Sequence, residues 1–338
     1  MSGVRALLVV SLCVAAGAVG ACSEKEERTG SGRDAPLSVM LDFYVNPDHA
    51  GLVVAERRGY FEEAGLEVDL RVPSDPSAPL KQVAAGRADL AISYEPEVLT
   101  ARSEGLPVKA VAAIVDEPLT SLIWLPESGI VDPVDLSGKT VATAGIPYQD
   151  DYLDTILDAA GVPAASVDRV NVGYGLLPAL LGGEADAILG GFRNIEGVQL
   201  TERGDDPTVL PVDRVGVPTY DELVLVASDE TIEERPDDLA LFISALAKGT
   251  ELAVDNPDLA VRSILAAGDG LDPSLTAAEV EATLPLLEAP ENGPFGWMNP
   301  NEWANFAAWM KAQGLIDDLP SVEESITSEF LPPAPEPR

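Results

Sequence analysis

The chain has 338 residues, and 57 Asp and Glu set against 21 Lys and Arg leave a formal net charge of −36. Acidity on this scale argues against a nucleic-acid partner and against docking on an anionic membrane through a basic patch, since both need a positive surface. With one histidine, His49, and two cysteines, Cys13 and Cys22, the chain cannot supply both a zinc site with several N or S ligands and a hydrolase triad, so enzymes built on either are disfavoured.

Residues 1–21 carry Arg5, an apolar run from Ala6 to Ala18 and small residues before Cys22, the pattern of a secretory signal peptide too short to span a bilayer. Val19-Gly20-Ala21-Cys22 resembles the bacterial lipobox, in which the cysteine becomes the first mature residue and carries the lipid. The alternative is an ordinary signal peptide cleaved elsewhere. In the lipobox reading Cys22 anchors the protein to the outer face of a membrane, and the exported body has no free thiol. Residues 22–35 follow as a polar tether without apolar spacing.

From Pro36 onward short apolar runs alternate with amphipathic stretches, which predicts an α/β protein. Leu37 to Phe43 reads as a strand, and Asn46 caps the helix that follows, with Pro47 in its first turn and a stop at Gly59. Gly65 to Val72 gives a second strand, Pro79 to Ala85 a helix, and Ala88 to Ser93 a third strand. The unit Leu80–Asp89 then recurs at Leu177–Asp186, 97 residues later. In each copy a helix ends at Gly and Ala-Asp leads into an apolar strand, which predicts two similar α/β lobes.

Lobe two is predicted over residues 125–220, with strands at Thr140–Thr143, Val167–Val172 and Ala187–Gly190 and a helix at Gln149–Ala160. Leu223 to Ala227 reads as the strand returning to lobe one, which comprises 36–124 and 221–338. Its tail is helical at Leu239–Val254, Pro257–Ala267, Ala277–Leu287 and Asn301–Gln313. Two crossings between lobes imply a hinge and a cleft.

Open α/β sheets place ligand contacts in the loops at strand ends. The first such loop holds Asp42, Tyr44, Asn46 and His49; the lone histidine reads equally as a structural residue. Glu95 leaves the third strand at the same edge, as a ligand contact or as a helix cap. In lobe two the corresponding loops are Ala144–Tyr148 and Gly190–Gly197, and the return segment Val217–Glu222 adds Tyr220 and two carboxylates. Each aromatic here reads either as core packing or as a stacking surface. Aromatics and carboxylates with little positive charge beyond Arg193 suit a flat, nitrogen-rich ligand that donates hydrogen bonds, and suit phosphate or sulfonate poorly. No Walker-type loop, Gly-x-Ser-x-Gly elbow or dinucleotide fingerprint occurs, and neither a metal nor a cofactor is expected.

Leu41 to Leu52, Ala55 to Phe61 and Gly65 to Val68 resemble the opening of the thiamine-pyrimidine family of periplasmic-type binding proteins. Asp116 to Ser121, Asp135 to Lys139 and Gly190 to Glu196 continue the likeness, which covers nearly all of Pro36 to Leu319. The resemblance implies the two-lobed, type II binding-protein fold and a role as the capture subunit of an importer with an ABC permease and its ATPase. The expected ligand is a hydroxymethylpyrimidine or formylaminopyrimidine; riboflavin and alkanesulfonate binders are relatives. It also implies the pyrimidine contacts: Asp42, Phe43, Tyr44, Asn46, His49, Glu95, Tyr148, Asn194, Glu196 and Tyr220. Phe43 and Arg193 stand where the family often has Trp. The family's pyrimidine synthases carry a Lys after the third strand, a consumed His four residues later and a Cys-rich iron motif, where this chain has Ser93, Glu97 and Val217–Asp221.

Overall fold

The computed structural model describes residues 35–290 and 293–334. The segment expected to be a signal peptide, residues 1–21, together with Cys22 and the expected tether as far as Asp34, lies outside the described residues. Among the described residues ten strands form two five-stranded sheets. In chain order they are β1 (Leu37–Met40), β2 (Val68–Arg71), β3 (Leu90–Ser93), β4 (Val108–Val115), β5 (Thr120–Trp124), β6 (Thr140–Thr143), β7 (Asp168–Asn171), β8 (Ala187–Phe192), β9 (Thr208–Pro211) and β10 (Leu223–Ser228). The sheet orders are β2-β1-β3-β10-β4 and β7-β6-β8-β5-β9.

The two orders are the same pattern. In each sheet three parallel strands are followed by one antiparallel strand that joins them to the outer edge. The 97-residue repeat marks the shared joint. The Asp89 carboxylate accepts the Ser38 backbone N–H at 2.7 Å while Asp89 donates its own N–H to the Ser38 carbonyl. Asp186 does the same with Thr140, accepting at 2.9 Å. The Ala-Asp that opens β3 and β8 therefore ties each to the central parallel strand. β3, β5 and β10 are buried on both faces, as strands inside a covered sheet must be, whereas edge strand β7 is largely exposed.

One boundary moves. Thr120–Trp124 was expected to close lobe one, yet β5 pairs with β8 and β9 in the second sheet. The first crossing therefore lies at residues 116–119, not after Trp124. A fully buried apolar strand fits the interior of either sheet, so its composition does not say which one it joins. The return crossing precedes β10, which pairs with β3 and β4 in the first sheet.

The helices are α1 (Ala50–Arg57), α2 (Tyr60–Glu63), α3 (Pro79–Ala84) and α4 (Glu95–Ser103) in lobe one, and α5 (Pro147–Ala160), α6 (Leu176–Leu181) and α7 (Glu196–Arg203) in lobe two. The C-terminal set is α8 (Asp229–Glu234), α9 (Pro236–Asp255), α10 (Pro257–Ala267), α11 (Pro273–Thr283), α12 (Pro300–Gln313) and α13 (Val322–Ser325). α9 lies across α1, and α10 and α11 continue that layer, so most of the tail belongs to lobe one. The α1–α9 crossing is close because Gly51 and Gly249 meet there: a Cβ on Gly249 would stand 2.2 Å from the Gly51 carbonyl oxygen. Among the described residues no helix is long and apolar enough to cross a membrane.

At the hinge, both crossings are held by one carboxylate. Glu222, fully buried, accepts the backbone N–H groups of Leu119 and Thr120, each at 2.7 Å, the Thr120 hydroxyl at 2.8 Å and the Tyr220 hydroxyl at 2.9 Å.

Candidate ligand cleft between the lobes

The strand-end loops of the two sheets face each other across a cavity whose space, counted out to its mouth, is about 420 Å³. Lobe one contributes Asp42, Phe43, Tyr44, Asn46 and Tyr94. Across from them stand Ile146, Tyr148 and Gln149 at the start of α5, Leu176 of α6, and Gly190, Phe192 and Glu196 from the end of β8 to the start of α7.

The floor on the lobe-one side is a hydrogen-bonded chain. Asn46 caps the turn Pro47–His49, accepting the Asp48 N–H at 2.8 Å, and its own N–H donates to His49 Nδ1 at 3.2 Å. An Nδ1 that accepts carries no hydrogen, so the imidazole proton sits on Nε2 and donates to Asp42 Oδ1 at 2.8 Å. Tyr94 donates its hydroxyl to Asp42 Oδ2 at 2.9 Å. The Asp42 carboxylate is thus fixed from two sides.

On the lobe-two side Gln149 accepts the Ala144 N–H at 2.8 Å, and its amide nitrogen fills the space beside Gly190. There φ is +106°, and a Cβ would stand 2.2 Å from Gln149 Nε2. Only glycine lets β8 end in this way. Glu196 opens α7 and accepts the Phe192 N–H at 2.8 Å. Burial raises its carboxyl to about 7, with nearby Glu279 adding to the rise and the backbone N–H bonds opposing it. The Tyr148 hydroxyl is buried with no hydrogen-bond partner; Thr120, which faces it, donates its own hydroxyl to Glu222.

Two sets of contacts hold the lobes together at the rims. On one side Tyr174 of lobe two donates to the Pro73 carbonyl at 2.7 Å and packs edge-on against Phe43, with ring centroids 4.5 Å apart. On the other, Asn194 donates to Asp48 at 2.7 Å and to the Thr283 hydroxyl at 2.8 Å, and Gln199 of α7 donates to Glu279 of α11 at 2.6 Å.

Six of the ten residues expected to touch ligand are therefore brought together around the cavity: Asp42, Phe43, Tyr44, Asn46, Tyr148 and Glu196. Four are not. His49 stands behind Asp42 and orients it. Glu95 is turned away at the start of α4, where it accepts the Asp221 N–H at 2.8 Å. Asn194 bridges the rim. Tyr220 is buried in the hinge against Tyr152 and Phe306, with its hydroxyl on Glu222. Sequence reasoning missed Tyr94 and Gln149, each beside a residue it named.

Among the described residues no lysine or arginine lines the cavity, and the amino end of α7, where an anion would otherwise seat, holds the protein's own Glu196 carboxylate. No group of three or more metal-ligating side chains occurs among the described residues. The cleft offers carboxylates, tyrosine hydroxyls and aromatic faces to a ligand that donates hydrogen bonds.

Two α/β lobes of this strand order, joined by two crossings around a cleft, define the periplasmic-binding-protein architecture. The alkanesulfonate-binding protein SsuA of Xanthomonas axonopodis pv. citri shares it with a TM-score of 0.70 at 17% identity, over 87% of this chain and 98% of that one. By sequence, residues 46–260 match the model of the family described as NMT1/THI5 like, and the chain belongs to that family. Among its relatives, a formylaminopyrimidine-binding protein of Halalkalibacterium halodurans is 37% identical over 96% of this chain and 99% of its own. A 4-amino-5-hydroxymethyl-2-methylpyrimidine phosphate synthase of Legionella pneumophila is 24% identical over 88% and 93%.

Proposed function

We propose that this protein is the extracytoplasmic capture subunit of an ABC importer, anchored through a lipid on Cys22, and that it closes on a thiamine-precursor aminopyrimidine of the hydroxymethyl or formylamino type. The observation that carries the ligand class is the cavity's charge: Asp42 and Glu196 face it, three tyrosines line it, and no cation does. An amino group on a flat ring finds acceptors and stacking surface there, whereas a sulfonate or phosphate meets two carboxyls and no cation to offset its charge. The likeness to a formylaminopyrimidine-binding protein supports the same class. Closure follows from the ligand's stronger contacts with the closed form.

The synthase relatives raise an enzymatic reading. At the place where the resemblance puts the synthase lysine, however, Ser93 donates its hydroxyl to Glu97 at 2.7 Å. That pair supplies neither the amine nor the imidazole of that chemistry.

Calorimetry with 4-amino-5-hydroxymethyl-2-methylpyrimidine and with taurine tests the ligand class. Binding of the pyrimidine alone is expected; binding of taurine alone would move the protein to the sulfonate class. Glu196→Gln should weaken pyrimidine binding by about 1.5–3 kcal/mol, the loss of one charge-assisted hydrogen bond, and unchanged affinity would remove Glu196 from the ligand's partners. Cys22→Ala should abolish fatty-acid labelling in cells and release the protein from the membrane fraction while leaving pyrimidine affinity intact. A wild-type chain that takes up no label would sink the anchor.

A further inference from the structure

We propose that closing the lobes takes up one proton from solvent, carried by Asp48 as a carboxylic acid bonded to Asn194 in both directions. The proposal rests on the hinge-closure reading given above.

Asn194 spends both amide hydrogens, one on Asp48 Oδ1 at 2.7 Å and one on the Thr283 hydroxyl at 2.8 Å. Two oxygens of this interlobe pair remain, Asp48 Oδ2 and Asn194 Oδ1, and both are buried without any donor. Buried acceptors are rarely left so. A carboxylic acid and a primary amide satisfy each other in a ring, the amide N–H donating to one carboxyl oxygen while the acid O–H donates to the amide oxygen. One proton on Asp48 Oδ2 supplies the donor that both orphaned oxygens lack, and no other bond is made or broken. The small cavity beside Asp48 offers no substitute: its walls include Val39, Leu52, Ile92 and Leu287, and its Thr250 hydroxyl donates to the Leu246 carbonyl.

Burial is what favours the acid form of Asp48, and the groups around it act in both directions. The turn that carries it packs against α1, α10, α11 and the Leu284–Leu287 turn. The charged residues of α1 and α10, namely Glu56, Arg57, Asp258 and Arg262, are all exposed, and so is Glu281 of α11. Leu284–Leu287 carries no charge. Glu279 of α11 is buried and bonded to Gln199. The groups that act on Asp48 are His49 on its own turn, Asp42 at the end of β1 and Glu196 across the cleft. Burial raises the Asp48 carboxyl to about 7; His49 and the Asn194 bond oppose the rise, and Asp42 and Glu196 add to it. When lobe two swings away it takes Asn194 with it, water reaches Asp48, and the carboxyl returns toward the ordinary value of about 3.9. The closed form then binds more protons than the open one, so acid favours closure and ligand capture.

The test measures the distance between one spin label on each lobe, without ligand, in the full chain with Cys13 and Cys22 replaced by serine. The closed-to-open ratio is expected to rise about tenfold between pH 8 and pH 6, the limit for one linked proton whose closed-form value is near 7. Asp48→Asn supplies a permanent amide donor in place of the acid O–H, and its ratio should be high and flat across that range. A wild-type ratio that ignores pH, or an Asp48→Asn variant that keeps the wild-type slope, overturns the proposal. Should that variant not fold, calorimetry of 4-amino-5-hydroxymethyl-2-methylpyrimidine binding to the wild type in buffers of different ionisation enthalpy decides. The same measurement on Glu196→Gln, which removes the other cleft carboxyl raised to about 7, isolates Asp48: about half a proton is taken up at pH 7 if the proposal holds, and none if it fails. If the labels respond to pH while the pyrimidine does not bind, the ligand assignment falls and the proton linkage stands.

Discussion

Replacing Glu222 with alanine should destabilise the protein by about 3–5 kcal/mol, the usual cost of breaking a buried charged network from one side. The side chain is fully buried, and all four groups around it are donors: the Leu119 and Thr120 N–H and the Thr120 and Tyr220 hydroxyls. Such a shell is matched only by the ionised, acceptor-only carboxylate. Burial nonetheless pushes the Glu222 carboxyl above its ordinary value, against the pull of those donors. Alanine would leave four donors without their acceptor, and the two interlobe segments would lose the carboxylate that both of them bond. Glu222→Gln retains one acceptor oxygen and adds a fifth donor, so it should fall between alanine and wild type. Urea unfolding monitored by far-UV circular dichroism reads the effect directly. A loss below about 1 kcal/mol for Glu222→Ala, the worth of a single ordinary hydrogen bond, would mean that the hinge is held by packing alone.

The second large effect is on the pH dependence of stability. Asp48, Glu97, Glu196 and Asp221 are each raised to about 7, with burial the first cause in every case. Their unfolded values lie near 4. Between those limits the folded protein holds more protons than the unfolded chain, so stability is fully present below about pH 4, and is lost as pH rises through 7. Each unit of such a shift corresponds to about 1.4 kcal/mol, so four groups together move stability by several kcal/mol. The exposed carboxyls Asp135, Asp272 and Glu324, lowered chiefly by hydrogen bonds from their own turns, work in the opposite sense, and only as pH falls below 4. Thermal midpoints should therefore be highest near pH 5 and decline steadily to pH 8. The net charge of −36 pushes the same way, since acid relieves self-repulsion. A midpoint that is level or rising from pH 5 to pH 8 would contradict the burial of these four groups as carboxyls.

Much of this architecture can be read from residue order because the chain states it twice. The Ala-Asp that begins β3 and β8 names the strand beside the central one in each sheet, and the loops after the central strands β1 and β6 hold most of the cavity. β5 shows where such reading stops. Thr120-Ser121-Leu122-Ile123-Trp124 is buried throughout, and nothing in its pattern says which sheet it enters, because the choice lies with partners more than sixty residues away. The site has the same limit at finer scale. Glu95 was expected at the cleft and Tyr94 stands there instead, because adjacent residues leaving a strand point to opposite sides, and α4 begins at Glu95 and turns it toward Asp221. His49 carried its own signal. It stands three residues after Asn46, the position from which a side chain reaches back to its cap, and a ring engaged there orients Asp42 from behind without touching the cavity. Asn194 and Tyr220 lie in loops whose paths are set by the meeting of the two lobes, which no local pattern encodes.

The strand order also has a consequence for the order in which the lobes close as the chain emerges amino end first. Lobe two is one uninterrupted stretch of chain, so its sheet has all five strands once β9 has been made. Lobe one is interrupted: β4 is joined to its sheet only through β10, whose residues are synthesised more than a hundred positions after β4. Until β10 arrives, the amino-terminal lobe is a three-stranded sheet with an unpaired edge at β3 and a detached fourth strand. The helix layer over α1 is missing as well, because α9 is made later still. The part of the protein that is synthesised first is thus the last to close its core, and pairing at so long a separation is slow. The acidic surface gives that waiting edge some protection, since like-charged chains keep one another at a distance.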